Sequence, residues 1–435
     1  MSDFLARMAL GAYRLAGSLS YPFMGPFLAL RARRGKEDRS RRYERYGYPS
    51  AERPQGPLIW FHAASVGESM AVLPLVEHVS RLGISTIMTT GTVTSAEVVK
   101  ERLPASTYHQ YVPLDMTRAV HRFLDHWKPD LAVFSESEIW PTIILELGNR
   151  RIPQVLVNAR MSDSSFAKWS AANTLASKLF EKMYHVVAQS ELDAERFRAL
   201  GARPVSVSGN LKVDTSELPC DEKLLQLLLS QIGNRPVWIA ASTHPGEEKV
   251  ALEVHRMLES KFPRLLTVIV PRHPERCPEV ARMLQATSAK VVNRSSGRPI
   301  TPDTSYFLGD TIGEMGLYLR LAKLVFVGRS LIGEGGQNPL EPAMLGTAIL
   351  SGRNVANFRD AYRNLLANGG ARLVRDTEML AANVDHLLLH EDERTQMSVN
   401  ASRTVEEMRG ALGLTIEILD SHLFPLTVKR DLEGI

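Results

Sequence analysis

The chain has 435 residues, of which 44% are hydrophobic and 23% are charged, and its formal net charge is +4. This length exceeds what one ordinary core holds and predicts two domains, while the composition excludes a disordered or fibrous protein. The first 55 residues contain 11 Lys/Arg and 5 Asp/Glu, a balance of +6, so the remaining residues carry −2. Because residues 56–435 carry no net positive charge, nucleic-acid binding by this part of the protein is not expected.

The two cysteines, Cys220 and Cys277, are isolated, and neither belongs to a CxxC motif. Such sparse cysteine usage is typical of a reducing compartment and supplies no ligand set for a structural metal. We therefore expect a protein of a reducing compartment without a structural metal site.

An apolar segment covers residues 8–30 and is interrupted by one arginine and two prolines. Eight basic residues follow between Arg31 and Arg45. A membrane span needs about 20 apolar residues, so this segment is of marginal length, and no signal-peptide cleavage motif follows it. We expect residues 1–48 to attach the protein to a membrane, either as an uncleaved anchor or as an amphipathic segment on an anionic leaflet. The alternative is an ordinary helix packed on the domain.

From residue 57 onward, short apolar runs alternate with helical patterns. The apolar runs predict buried parallel strands at 58–63, 85–91, 131–137, 154–160 and 185–190. Helical patterns cover 70–82 and 190–201, the second with Ser190 as N-cap and Gly201 as its stop. Strand–helix alternation of this kind predicts a doubly wound parallel sheet, in a domain that we place at 49–218.

The alternation restarts after a loop at 209–223 and a helix at 224–232. The second series of strands is predicted at 237–243, 265–273, 290–295, 305–310, 324–330 and 348–352. We place this second domain at 219–415 and a C-terminal tail at 416–435. The expected fold class is α/β, with two Rossmann-like doubly wound parallel-sheet domains facing a central cleft, because open α/β sheets bind ligands beyond the carboxyl ends of their strands.

Polar residues gather where the predicted strands of both domains end. In the first domain they are Glu68, Glu136, Glu138, Asn158, Arg160, Asn210 and Lys212. In the second they are Ser242, Thr243, His244, Arg272, His273, Arg329, Gln337, Asn338 and Glu341. Any one of them alone fits a helix cap or the surface, and a serine three residues before Glu68 suits a helix N-terminus. So many at the same topological edge predict a binding site instead.

The second domain has the features of an anion site. Ser242, Thr243 and His244 lie just before a predicted helix, where hydroxyl and backbone N–H groups bind anions. Arg272 can grip a phosphate or a carboxylate with its planar guanidinium. A glycine-rich run before a further helix allows close backbone approach and directs Glu341 toward ribose hydroxyls. Because no GxxxxGK[ST] sequence occurs, the pattern favours a nucleotide sugar over a P-loop nucleotide.

Eight motifs, in chain order, resemble the 3-deoxy-D-manno-octulosonic acid (Kdo) transferases: WFHAASVGE, SESEIWP, LVNARMSDSS, GNLKVD, AASTHPGEE, VPRHPER, GDTIGEM and GGQNPLEP. The resemblance runs from about residue 35 to 425. It implies a GT-B glycosyltransferase of lipopolysaccharide inner-core synthesis, on the cytoplasmic face of the inner membrane. Its partners would be CMP-Kdo, a lipid A precursor and the anionic membrane surface, and Kdo would pass to a lipid A hydroxyl with inversion at the anomeric carbon.

The resemblance also implies roles for individual residues. Glu68 matches the base that takes the proton of the acceptor hydroxyl, and Glu136 and Lys212 match positions that stabilise the transition state. The segments that match CMP-binding positions are Pro271, Arg272, Ile312, Gly313, Glu314, Asn338, Pro339, Leu340 and Glu341. No DxD sequence occurs, and a nucleoside monophosphate leaving group has little need of one. We expect no metal and no cofactor besides the donor substrate.

Two turns depart from the family pattern, which often has a Gly-Gly-Ser turn and a Gly-Gly-His-Asn run. Here Arg329 replaces the second glycine of the turn, and Gln337 replaces the histidine. Gln337 cannot titrate, so it receives no acid–base role. Arg329 adds a fixed charge that suits either the donor's phosphate or carboxylate, or a salt bridge.

Two other functions stay open. A different GT-B enzyme would use another nucleotide sugar or act as an epimerase, and the basic N-terminal segment and the PRHP motif argue against it. A non-catalytic sugar- or membrane-binding protein would have no use for Glu68, Glu136 and Lys212 together.

Overall fold

The computed structural model describes residues 3–214, 218–287 and 289–433. They form two compact units, the first comprising 3–214 with 409–433 and the second comprising 218–408. Each unit is built on its own parallel sheet.

The first unit has all-parallel strands in the order β3-β2-β1-β4-β5-β6-β7. The strands are β1 (Leu58–Ala63), β2 (Ser85–Thr90), β3 (Thr107–Tyr111), β4 (Leu131–Ser135), β5 (Gln154–Ala159), β6 (His185–Ala188) and β7 (Val205–Val207). The helices are α1 (Asp3–Ser20), α2 (Met24–Arg33), α3 (Val66–Arg81), α4 (Val93–Lys100), α5 (Thr117–Trp127), α6 (Pro141–Asn149), α7 (Asp163–Ala171), α8 (Asn173–Phe180) and α9 (Glu191–Ala199). The winding reverses between β1 and β4, which is where such sheets bind ligands.

Strand β1 shows why the apolar runs are strands. All six of its side chains are buried, because helices cover both faces of the sheet. Trp60 packs into one core cluster, whereas Ile59 and Phe61 pack into another, as the alternation of side chains along a strand requires.

The second unit has all-parallel strands in the order β10-β11-β9-β8-β12-β13-β14. The strands are β8 (Val237–Thr243), β9 (Leu266–Pro271), β10 (Lys290–Asn293), β11 (Thr304–Leu308), β12 (Leu324–Val327), β13 (Ala348–Ser351) and β14 (Ala371–Leu373). The helices are α10 (Glu222–Ile232), α11 (Glu247–Leu258), α12 (Cys277–Gln285), α13 (Met315–Leu319), α14 (Leu340–Met344), α15 (Arg359–Ala367), α16 (Thr377–Leu389) and α17 (Glu391–Glu407). The predicted fold class, two doubly wound parallel sheets, is confirmed.

The last helix, α18 (Ala411–Glu433), belongs to the first unit. Leu419 and Leu423 are buried in the core cluster that contains β1 residues. Asp214 fixes the start of this helix, because its carboxylate accepts the backbone N–H groups of Gly410 at 2.9 Å and Leu412 at 2.6 Å. The predicted division, with a second domain to 415 and a tail at 416–435, therefore differs from the structure: residues 411–433 form a helix that completes the first unit.

The N-terminal helix α1 packs on the first unit along one side. Ala6 and Leu10 are buried, Tyr13 donates a hydrogen bond of 2.9 Å to Asp115, and Arg14 forms an ion pair with Glu146. The opposite side of α1 and the following residues expose apolar side chains: Phe4, Met8, Leu15, Leu19, Phe23, Phe27 and Leu30. Among the described residues, the one helical stretch long and apolar enough to cross a membrane is Glu391–Leu432, and it lies outside this N-terminal segment.

Candidate functional site

Backbone strain marks the carboxyl ends of four strands. Six non-glycine residues of the described chain have a left-handed φ, and four of them lie at predicted site positions. Glu136 follows β4 with φ 56°, and Asn158 is near the end of β5 with φ 51°. Ser242 in β8 has φ 53°, and Arg329 after β12 has φ 56°. Such conformations cost free energy and gather at ligand-binding sites, so these strand ends are functional candidates in both units.

Glu136 and Lys212 form an ion pair at the edge of the first sheet. Lys212 Nζ donates to Glu136 Oε1, and the two side chains are 22% and 12% exposed, respectively. Lys212 lies in a tight turn, where its backbone N–H donates to Asn210 Oδ1 at 3.1 Å. A nearly buried pair of this kind keeps a fixed geometry and places one negative and one positive charge at the strand ends.

Glu68 lies at the start of α3, next to this pair. Ser65 is the N-cap, and its hydroxyl donates to Glu68 Oε1 at 2.8 Å. The backbone N–H of Ala64 donates to Glu68 Oε2 at 3.0 Å. The first turn of α3 also lies beside the ammonium group of Lys212. At Gly67 in this turn, an added Cβ atom would be 3.9 Å from Lys212 Nζ. The structure thus brings together the three residues predicted as catalytic.

The environment of Glu68 raises its pKa above the usual glutamate value of 4.5. Burial is the main cause, and the negative charge of Glu136 adds to it. The hydrogen bonds from Ser65 and Ala64 act in the opposite direction without cancelling the shift. A carboxylate whose pKa moves toward neutral is a stronger base than an ordinary glutamate.

Glu138, two residues beyond Glu136, has a different environment. Its Oε2 accepts a hydrogen bond of 2.7 Å from Trp140 Nε1 and lies 3.3 Å from His62 Nε2. Burial acts to raise the pKa of Glu138, but the hydrogen bonds from His62 and Trp140 outweigh it and the pKa is lowered. His62 also contacts Thr89 and is buried, so it belongs to the core, as its place on a strand predicts.

Asn158 supports the turn that carries Lys212. Its Oδ1 accepts the backbone N–H of Leu211 at 3.0 Å, and the residue is fully buried. Asparagine tolerates the left-handed conformation better than most residues, which explains its use at this strand end. Its Nδ2 has no hydrogen-bond partner among the described residues.

The donor-binding residues predicted in the second unit follow four neighbouring strands. Glu314 follows β11, Arg272 follows β9, His244 follows β8, and Asn338 follows β12. Neighbouring parallel strands end at the same edge of the sheet, so these segments share one edge. Direct contacts join two pairs: the Nε2 atoms of His244 and Gln337 are 3.0 Å apart, and the rings of His244 and His273 meet edge to face at 5.5 Å.

Thr243 and His244 differ in what they offer a ligand. The hydroxyl of Thr243 is buried and donates to Glu248 Oε1 at 3.0 Å, so it stabilises the loop and is not turned to solvent. Burial lowers the pKa of His244, and the positive charge of Arg329 lowers it further. His244 is therefore neutral at pH 7 and can serve as either donor or acceptor.

Glu247 organises this site, although it is not among the residues predicted from the sequence. The side chain is 1% exposed, and its carboxylate accepts four backbone N–H groups. These come from Arg329, Ser330, Leu331 and His244, at 2.6, 2.9, 3.1 and 3.0 Å. A glutamate at the first turn of a helix looks like an ordinary partner of the helix dipole, and only the fold reveals the loop that it binds.

The remaining predicted residues are placed by local contacts. Asn338 Oδ1 accepts the backbone N–H of Leu340 at 3.1 Å, and its Nδ2 donates to Glu341 Oε1 at 3.2 Å. Glu314 pairs with Arg294 at 2.8 Å. The other members of the predicted donor set lie as follows: Pro271 is buried, Arg272 and Ile312 are exposed, Gly313 has φ 83°, and Pro339 precedes α14.

Comparisons with known proteins identify the family of this chain. The profile of the 3-Deoxy-D-manno-octulosonic-acid transferase (kdotransferase) family matches residues 40–215. The chain is 35% identical to a probable 3-deoxy-D-manno-octulosonic acid transferase, mitochondrial, of Arabidopsis thaliana, over 96% of this chain and 97% of that protein. It is also 35% identical to the 3-deoxy-D-manno-octulosonic acid transferase of Haemophilus influenzae, over 92% and 95% of the two chains.

Solved structures with the same fold include a putative UDP-N-acetylglucosamine 2-epimerase from Listeria monocytogenes, with a TM-score of 0.60 and 12% identity over 85% of this chain and 97% of that one. A glycosyltransferase from Rickettsia africae aligns with a TM-score of 0.58 and 12% identity, over 85% and 99%. At this identity the likeness shows the GT-B fold alone. The full-length relatives show more: this chain belongs to the 3-deoxy-D-manno-octulosonic acid (Kdo) transferase family of glycosyltransferases.

Proposed function

We propose that this protein transfers Kdo from CMP-Kdo to a hydroxyl group of a lipid A precursor in lipopolysaccharide inner-core synthesis, with inversion at the anomeric carbon. Family membership supports Kdo as the sugar. The single observation that carries the mechanism is the position of Glu68, a carboxylate with a raised pKa that borders the Glu136–Lys212 pair.

Glu68 is the general base of this reaction. An alcohol is a poor nucleophile until a base removes its proton as the new bond forms, and a well-placed base contributes about 10²–10⁴-fold to the rate. The base must be deprotonated at the working pH yet strong enough to accept the proton. Partial burial and the neighbouring charge of Glu136 raise the pKa of Glu68, which strengthens it as a proton acceptor.

Glu136 and Lys212 stabilise opposite charges. The anomeric carbon becomes positive as its bond to the phosphate breaks, and the carboxylate of Glu136 offsets that charge. The leaving phosphate becomes more negative, and the ammonium of Lys212 offsets it. Because the two groups already pair with each other, they are held in position before substrate binds.

The second unit binds the CMP part of the donor at the edge formed by β11, β9, β8 and β12. The side chain of Arg272 is exposed there and can take the phosphate, since its guanidinium offers two parallel donors. Glu341, ordered by its hydrogen bond from Asn338, suits the ribose hydroxyls. The mechanism assigns no step to a metal ion, so we expect transfer to persist in excess chelator.

The N-terminal segment docks on the cytoplasmic face of the inner membrane and lies in its plane. One side of α1 is occupied by the first unit, so lipid cannot surround this helix as it surrounds a span. The exposed apolar side chains that include Leu19 and Phe23 face outward. The basic flank is smaller than the sequence predicts, because Arg31 and Arg45 pair with Glu37. The exposed basic residues left for anionic lipid are Arg33, Arg34, Lys36, Arg39 and Arg42.

The test is transfer from CMP-Kdo to a tetraacylated lipid A precursor by the purified full chain, followed by product mass with and without EDTA. A mass increase of one or more Kdo units, unchanged by EDTA, supports the proposal. A parallel thermal-shift measurement compares CMP with UDP, since the nucleotide that binds the folded state raises Tm. Stabilisation by UDP alone, without Kdo product, would favour the epimerase or another nucleotide-sugar enzyme instead.

A further inference from the structure

Ser65 lies on the solvent side of the base. Its side chain is exposed, whereas Glu68 is half-buried. The Ser65 hydroxyl donates to Glu68 Oε1 at 2.8 Å, and the backbone N–H of Ala64 donates to Glu68 Oε2 at 3.0 Å. Each carboxylate oxygen therefore already holds a hydrogen bond, and one of the two donors is an exposed hydroxyl.

The hydrogen-bonding capacity of Ser65 leaves one position open. A hydroxyl has one proton to donate and two lone pairs that accept. The proton points to Glu68 Oε1, and one lone pair accepts the backbone N–H of Glu68 at 3.3 Å. Among the contacts of the described residues, the second lone pair has no donor, and it belongs to an exposed atom. An alcohol that donates to this lone pair would be connected to Glu68 by a continuous chain of two hydrogen bonds.

We propose that Ser65 is a catalytic residue that relays the proton of the acceptor hydroxyl to Glu68. This inference rests on the proposed transfer reaction. The acceptor O–H proton moves to Ser65 Oγ while the original Ser65 proton moves to Glu68 Oε1. The acceptor oxygen forms its bond to the anomeric carbon, and the carbon–oxygen bond to the phosphate breaks with its electron pair leaving on CMP. Ser65 ends as a neutral hydroxyl, and Glu68 ends protonated.

The competing account is that Ser65 only caps helix α3. Three substitutions separate the two accounts. Ser65→Thr keeps both the cap and a hydroxyl, Ser65→Asn keeps a cap of equal quality without a hydroxyl, and Ser65→Ala removes both.

A second serine provides the matched control. Ser190 caps α9 in the same way, donating to Asp193 Oδ2 at 2.6 Å and accepting the Asp193 backbone N–H at 3.2 Å. Ser190→Asn therefore repeats the hydroxyl-to-amide change in an equivalent cap that lies outside the Glu68 cluster.

The experiment measures the single-turnover rate of Kdo transfer with enzyme in excess over CMP-Kdo, together with Tm. We expect Ser65→Thr and Ser190→Asn to keep most of the wild-type rate. Ser65→Asn and Ser65→Ala should both lose about 10²–10⁴-fold. Only Ser65→Ala should lower Tm, by about 2–4 °C, because it alone removes the cap. The wild-type rate should also show a curved dependence on the deuterium fraction of the solvent, since two protons move together.

A wild-type rate in Ser65→Asn, or a linear solvent-isotope dependence in the wild type, would overturn the relay while leaving Kdo transfer intact. A wild-type protein that forms no Kdo product would overturn the proposed function itself, and the relay with it.

Discussion

The substitution Glu247→Gln probes how much of the donor site depends on one buried carboxylate. Oε2 accepts the N–H groups of Arg329 and His244, and Oε1 accepts those of Ser330 and Leu331. Glutamine keeps one carbonyl oxygen and replaces the other oxygen with an NH₂ group that cannot accept. Two backbone N–H groups then lose their acceptor.

The cost follows from the count of lost acceptors. A buried donor left unsatisfied costs about 1–3 kcal/mol, so two of them should lower the free energy of unfolding of the second unit by about 2–6 kcal/mol. The loop has little room to relax and recover this lost stability. The backbone is packed so tightly at Gly328 that an added Cβ atom would lie only 2.6 Å from the carbonyl oxygen of Ser242. The loop that carries Arg329 should therefore loosen, and affinity for CMP should fall.

Hydrogen exchange measured by mass spectrometry on the full chain tests the loosening of this loop, because it reports the local opening free energy of each peptide. Peptides that cover 329–331 should exchange faster in Glu247→Gln. The control is Glu253→Gln on the same helix, where the side chain is 45% exposed and lies 4.0 Å from Lys249. Glu253→Gln should change the free energy of unfolding by no more than about 0.5 kcal/mol. Equal protection in Glu247→Gln and Glu253→Gln would refute the reasoning.

Two further predictions concern the base and the membrane. The negative charge of Glu136 adds to the raised pKa of Glu68, and the base works only when it is deprotonated. Glu136→Gln should therefore lower the pKa of Glu68 and move the acid limb of the kcat/KM–pH profile to lower pH. An acid limb that stays in place or moves to higher pH would contradict this. Leu19→Glu and Phe23→Glu should weaken co-sedimentation with vesicles of anionic phospholipid, since both side chains are exposed on the N-terminal segment. The control Leu227→Glu, at an exposed position of the second unit, should bind as the wild type does. Equal binding by all three variants would contradict docking through the N-terminal segment.

Most strands could be predicted because central strands of a parallel sheet are buried on both faces and appear as apolar runs. The edge strands β3, β7 and β14 were missed for the same reason. β3 carries His109 and Gln110, whose polar side chains hydrogen-bond to other parts of the first unit. β7 and β14 have three residues each, too few for a pattern. Placing α18 in the first unit requires knowledge of tertiary packing that local periodicity lacks.

The candidate site was predictable where polar residues end strands, and Glu68, Glu136 and Lys212 do come together. The hydrogen bonds and ion pairs of these side chains could not be predicted from the sequence. The pairing of Glu136 with Lys212 and the loop held by Glu247 depend on contacts between residues far apart in the chain. Such contacts, and the left-handed backbone at the strand ends, leave no local signature.

The central claim is that Glu68 is the base of Kdo transfer, and the most direct test is the single-turnover rate of Glu68→Gln. Glutamine suits this position of a helix N-terminus as well as glutamate does, so the fold should be preserved while the base is lost. We predict a rate lower by about 10²–10⁴-fold with unchanged CMP affinity. The control Glu77→Gln, an exposed position on the same helix, should transfer at the wild-type rate. Wild-type transfer by Glu68→Gln would contradict the account and leave Glu68 as a helix cap.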